Sequence, residues 1–240
     1  MKGYYALWAE YLRFMDENPG AGDDAAREKT GVHWRGTMHA RYLGLITEDR
    51  AVTPAGREFH QHPDMIDGIL ARQVMKWYYC VDLFCDPDPG YDVYPVFALL
   101  RILLDLPESE YGISLDELRF FVLPTKRLSE CQDRVALIRR FRESPSLWQS
   151  KLDRIFLHTY VGRIGQILEL CNLLQVTDND VRIAPAHVQE AKWSLTASLD
   201  LENEGLIAHY DNNAMVYLTM LRSTKSVFEF CGDLTNQVGM

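Results

Sequence analysis

Between Asp23 and Phe59 the chain strings together short, sharply punctuated segments that leave room only for small helices and a hairpin. Asp23 and Asp24 follow Gly22 and open a short helix, their carboxylates suited to the positive end of its dipole. The Gly31-Val32 pair breaks that helix, and a second is expected from His33 to about Leu43. Two short strands follow, Leu45–Thr47 and Arg50–Thr53, around a polar tip of Glu48, Asp49 and Arg50. Thr53-Pro54 then starts another helix, with Pro at its first position. Helix, tight turn, helix and hairpin in this order make a winged helix-turn-helix, whose second helix is the one that enters a DNA major groove.

On that second helix the spacing predicts Trp34, Met38 and Tyr42 as the inner face. His33, Arg35, Thr37, His39 and Arg41 are then left outward as candidate base contacts. Arginine can hold a guanine edge with two hydrogen bonds, and threonine can meet a base or the thymine methyl group.

The flanking segments read in the same way. Tyr4, Leu7, Trp8, Tyr11, Leu12 and Met15 fall on one stripe of a first helix that ends at Asn18-Pro19-Gly20. A helix is expected from Ile66 to about Phe84, and the rigid Asp86-Pro87-Asp88-Pro89-Gly90 loop marks the best domain boundary. Beyond it lie an apolar helix from Pro95 to Leu106, and a capping box at Ser114 with Glu117 three residues on. A basic helix follows, from about Leu128 to Glu143.

The winged pattern then returns. Ile164, Ile167, Leu168, Cys171 and Leu174 form an apolar stripe, and Thr159, Tyr160, Arg163 and Gln166 are candidate base contacts beside it. Leu174–Val176 and Val181–Ile183 flank a Thr177–Asp180 turn as the wing. A helix from Pro185 to Asn203 and a hairpin of Leu206–Tyr210 with Ala214–Thr219 close the chain. The expected fold is mainly α with small β-hairpin wings, in two winged-helix units, or three if the C-terminal element counts. Residues 1–85 would form an N-terminal recognition subdomain. Residues 91–240 would form a second, carrying the basic helix 126–143 and the C-terminal helix and hairpin.

Charge is distributed unevenly. The chain's net charge is −9, yet residues 119–163 hold ten basic and four acidic side chains. A localised basic segment in an acidic chain is the footprint of a phosphate-binding face, and argues against indiscriminate coating of nucleic acid. Lys126, Arg127, Arg134, Arg139, Arg140 and Arg142 are the candidate phosphate contacts, which position a protein on a duplex without specifying sequence.

Other classes are disfavoured. No apolar run is long enough for a membrane span and the N-terminus is not a signal peptide, so a cytoplasmic location and no membrane partner are expected. Cys80, Cys85, Cys131, Cys171 and Cys231 lack metal-site spacing and read as reduced, mostly buried thiols. His60, His62 and Asp64 have no partners at useful spacing to complete a metal site. No nucleophile elbow, zinc-protease, P-loop or dinucleotide-binding motif is present. No catalytic residue, metal ligand or cofactor is therefore expected in this chain. Its expected partner is double-stranded DNA. Alternatives are a winged-helix transcriptional regulator binding DNA as a dimer, and a winged-helix protein-interaction module.

Several stretches carry a family resemblance: Leu43-Gly44-Leu45-Ile46 with Thr53-Pro54-Ala55-Gly56-Arg57, then Tyr94 to Leu104, Gly112 to Leu123, and Leu168 to Leu174 with its hairpin. Together they resemble the DNA-recognition part of type IIS restriction endonucleases of the AlwI and BpuJI kinds, bacterial restriction–modification enzymes. The resemblance implies tandem winged-helix specificity domains linked covalently to a separate nuclease domain, which would use Mg2+ at a PD…(D/E)xK centre. Here Pro63-Asp64 and Glu190-Ala191-Lys192 match pieces of that motif, but they lie far apart and Glu190 falls on an expected helix. The nuclease centre is thus expected outside this chain.

Overall fold

The computed structural model describes residues 2–77, 93–107, 111–148, 167–203 and 210–238. The chain divides into two units, residues 1–77 with 206–240, and residues 78–205. Among the described residues the fold is mainly helical, with one small antiparallel sheet of three strands.

The first unit opens with α1 (Lys2–Glu17), α2 (Asp23–Thr30) and α3 (Trp34–Tyr42). Trp8, Tyr11, Leu12 and Met15 of the predicted α1 stripe are all buried. Gly31 ends α2 in the left-handed conformation (φ 73°), which glycine adopts without the Cβ penalty, and its N–H bonds the Arg27 carbonyl. The expected wing strands shrink to a single antiparallel bridge, Ile46 with Val52, closed by a turn over Thr47–Ala51. The segment is too short for a ladder. Its register is held by the Thr53 N–H donating to the Leu45 carbonyl at 3.1 Å and the Thr47 N–H to the Ala51 carbonyl at 2.9 Å, with Leu45, Ile46 and Val52 buried. Thr53 caps α4 (Pro54–Gln61), its hydroxyl accepting from the Gly56 N–H at 3.0 Å. Next comes α5 (Ile66–Met75); the rest of the helix expected to Phe84, with Cys80, Cys85 and the Asp86–Gly90 loop, lies outside the described residues.

The second unit is built on α6 (Pro95–Asp105), buried nearly all round, as its run of Val96, Phe97, Leu99, Leu100, Ile102 and Leu103 requires. Strand β1 (Gly112–Ser114) leads into the predicted capping box. The Ser114 Oγ accepts from the Glu117 N–H at 3.1 Å and the Glu117 carboxylate accepts from the Ser114 N–H at 2.8 Å. A π-helical turn over Leu118–Val122 and a 3-10 turn over Leu128–Glu130 lead to α7 (Cys131–Glu143), the predicted basic helix. The predicted second hairpin is present as β2 (Leu174–Val176) and β3 (Asp180–Ile183). Strand β1, unexpected from the sequence, pairs with the other edge of β3 in the order β1-β3-β2, with Ile113 opposite Val181. Then α8 (Val188–Asn203) packs on α6.

The C-terminus departs from expectation. Residues read as hairpin strands around Asp211-Asn212-Asn213 belong to a helix, α9 (Tyr210–Arg222), followed by α10 (Val227–Val238). Tyr217, Met220 and Leu221 are buried at helical spacing, a periodicity that overrides the turn signal of the two asparagines. These helices group with residues 1–77 rather than with residues 78–205.

A buried polar knot makes that attachment specific. The Gln73 amide donates to the Leu43 carbonyl at 2.7 Å and the Leu221 carbonyl at 2.6 Å. Lys76 donates to the Gln73 amide oxygen at 2.7 Å and the Ser223 carbonyl at 2.8 Å, while the Tyr217 hydroxyl donates to the Lys76 carbonyl. Burial, with repulsion from Arg72, pushes the Lys76 ammonium down to about 7 against the pull of Glu58 and Glu229.

Candidate nucleic-acid interface

The helix α3 sits rotated from its expected phase. Gly36, Thr37, Ala40 and Leu43 are buried, so Trp34, Met38 and Tyr42 lie on the opposite side, and Trp34 is 42% exposed. Small residues permit this. A Cβ on Gly36 would come within 2.7 Å of the Trp8 indole nitrogen and 3.0 Å of Val32. Close helix packing, rather than the size of the apolar side chains, therefore sets which face turns inward.

This rotation sorts the predicted base contacts on α3. Thr37 is 4% exposed and its hydroxyl donates to the Trp34 carbonyl at 2.7 Å. Its place on the outward face is therefore corrected: an inward-facing hydroxyl bonded to its own helix offers nothing to a groove. His33 is exposed, with its ring 5.6 Å from that of Trp34. His39 is half-buried, 5.9 Å from Trp8 in an edge-on contact. Arg35 has its backbone in α3; its side chain lies outside the described atoms.

Arg41 belongs to a cluster the reading did not foresee. Its guanidinium donates to the Asp23 carboxylate at 2.6 Å, and Arg50, from the wing turn, stands 3.7 Å from the other oxygen. The Tyr11 hydroxyl also donates to Asp23, at 2.9 Å. Burial, this bond and the charge of Asp23 hold the Tyr11 phenol well above the ordinary tyrosine range, so it stays a donor. One carboxylate at the start of α2 thus ties together α1, the end of α3 and the wing.

The basic segment of the second unit divides into structural and exposed members. Arg142 grips Glu117 through two contacts, 2.7 and 3.0 Å, and donates to the Gly112 carbonyl at 2.8 Å. Arg134 donates to Glu130 at 2.8 Å and to the Pro124 carbonyl at 3.1 Å. Both predicted phosphate contacts are thus engaged within the fold. Arg127, Arg139 and Arg140 are exposed, Arg139 touching the Asp105 carbonyl at 3.2 Å, and Lys126 is half-buried. Beside the sheet an open groove of about 590 Å3 runs between Ser114, Arg142, Asn179, Arg182 and Pro185, but its two arginines face Glu117 and Asp180. Thr159, Tyr160, Arg163 and Gln166, the predicted contacts of the second winged element, lie outside the described residues.

Cys131, Cys171 and Cys231 are buried thiols, and burial pushes Cys171 up to about 12. Among the described residues no group of three or more His, Cys, Asp or Glu side chains is placed to hold a metal ion. Glu190 pairs with His187 at 2.8 Å at the start of α8. No helix among the described residues is long and apolar enough to cross a membrane.

No known family model matches the chain, and no curated protein matches it by sequence. A solved structure does share its fold, at 12% identity and a TM-score of 0.57 over 82% of each chain. That structure is the BpuJ1 endonuclease binding domain in complex with pyrene- and phenanthrene-modified DNA.

Proposed function

We propose that this chain binds double-stranded DNA sequence-specifically, as the recognition part of a restriction endonuclease of the type IIS kind. The observation that carries this reading is the fold it shares, along most of both chains, with a domain solved on DNA. The local build of the first unit supports it: α2, a glycine turn, α3 and a bridged wing follow in helix-turn-helix order. On this reading α3 enters the major groove with the face that carries Trp34, Met38 and Tyr42. His33, Arg35, His39 and Arg41 lie along and beside that face. Exposed Arg127, Arg139 and Arg140 would meet phosphates, and Thr159, Tyr160, Arg163 and Gln166 are a second proposed reading element. The nuclease centre and its Mg2+ would belong to a linked domain outside this chain.

Selection of bound duplexes from a randomised pool at physiological salt, without metal, tests the reading. Enrichment of one short asymmetric sequence is the expected result; a pool that emerges unenriched, or no retained DNA, would end it. With the enriched duplex in hand, Arg35→Ala should relax the choice at one position and cost about 1–3 kcal/mol on the preferred sequence. An equal loss on every sequence would remove Arg35 from the base readers.

A further inference from the structure

Asp23, Arg41 and Arg50 form a cluster with one more positive than negative charge. Asp23 is 20% exposed and rests on buried Tyr11, while the Arg50 side chain is 48% exposed. Neither arginine is saturated. The Arg41 side chain is 32% exposed, and among the described residues the Arg50 side chain makes only its 3.7 Å ion pair. The other carboxylates of the wing turn are already engaged, Glu48 by Arg222 and Asp49 by Thr47.

Arg50 also sits where arginine is a poor backbone choice. It is the one non-glycine with positive φ (73°) among the described residues, a conformation in which asparagine or glycine is far less strained. Backbone strain at a single residue that presents a cation at a turn tip points toward a ligand rather than toward folding.

We infer that Asp23 holds Arg41 and Arg50 as a pre-set clamp for one backbone phosphate of the duplex, with Asp23 the positioning residue and the two guanidinium groups its donors. This rests on the DNA-binding reading above and adds to it a named phosphate site. Guanidinium forks match phosphate oxygens bidentately, and a carboxylate that orders both side chains beforehand lowers the entropy lost on binding. The same carboxylate restrains them on DNA that does not bring a phosphate to that point, so Asp23 also sharpens sequence choice.

The test follows the salt dependence of binding by the full chain to two labelled duplexes, the pool-selected sequence and an unrelated one. Arg50→Asn removes the cation and suits the turn, so its melting curve should match that of the wild type. Its plot of log affinity against log salt should be shallower by about 0.9 on the pool-selected duplex, the share of one phosphate contact. Asp23→Asn should strengthen binding to the unrelated duplex and narrow the gap between the two. Wild-type binding with an unchanged slope for Arg50→Asn overturns the clamp and leaves the DNA reading standing. If the wild-type chain binds neither duplex at low salt, the DNA reading falls and the clamp with it.

Discussion

Asp23 and Glu117 are both gripped by arginine, and the contrast between them separates architecture from a site poised to bind. Glu117 is 4% exposed, carries both halves of a capping box, and faces one arginine that also donates to the Gly112 carbonyl. Charges there balance, and the oxygens are satisfied from within. Asp23 faces two arginines and is 20% exposed, with Arg41 and Arg50 themselves one-third to one-half exposed. A balanced pair fixes a fold; a carboxylate outnumbered by cations leaves attraction for an anion from outside. Lys76 gives a third arrangement, a buried ammonium whose hydrogen bonds go to neutral oxygens, which serves the attachment of α9.

Perturbing these sites in turn would sharpen or break the contrast. Glu117→Gln should be the most damaging. It removes the charge that holds Arg142 and weakens the capping box, costing about 2–3 kcal/mol, moderated because Arg142 is 29% exposed. Urea unfolding measures it, and a loss below that of Asp23→Asn would reverse the assignment of roles.

Lys76 should appear as a pH effect. Its folded-state value of about 7 lies below its ordinary 10.5, so between these limits the unfolded chain binds the extra proton. Stability should then rise with pH through that window, by at most about 1.4 kcal/mol per unit. Below about 7 both states are protonated and the full cost of burying the ammonium remains. Lys76→Met should remove this slope, read by comparing denaturant midpoints of the two proteins at several pH values. Parallel curves would mean that the knot does not disfavour the charged lysine.

Asp23→Asn should cost about 1 kcal/mol or less in stability, since both arginines keep access to water and Tyr11 retains an acceptor. Arg50→Asn should leave stability within about 0.5 kcal/mol of the wild type, because a weak ion pair is exchanged for a relaxed turn. Thermal melts decide both. A large loss at Arg50 would make it a structural residue and remove it from the comparison.

Local chemistry left its marks where a few adjacent residues suffice. The boundaries of α2, the Thr53 cap of α4, the Ser114 capping box and the Leu174–Ile183 hairpin all stand close to where residue types place them, because each depends on hydrogen bonds between near neighbours. Side-chain size misled at α3. Trp34, Met38 and Tyr42 make as good an apolar stripe as any, and the Trp8 ring packed against Gly36 selects the other face, where Ala40 is also buried. For the candidate site, sequence supplied the residue types, including the wing arginine. It did not supply the convergence of three segments on Asp23.

Sequence by itself therefore determined the helical segments ahead of α9, several of their caps, the two turns of the helix-turn-helix region and the basic character of α7. Those features are written in short-range periodicity and backbone preference. Tertiary structure alone decided the rotation of α3, the return of α9 and α10 to the first unit, the third strand β1, and which arginines are used internally. Each of these depends on partners distant in the chain, and a choice between two plausible faces or partners is made only when packing and burial weigh them together.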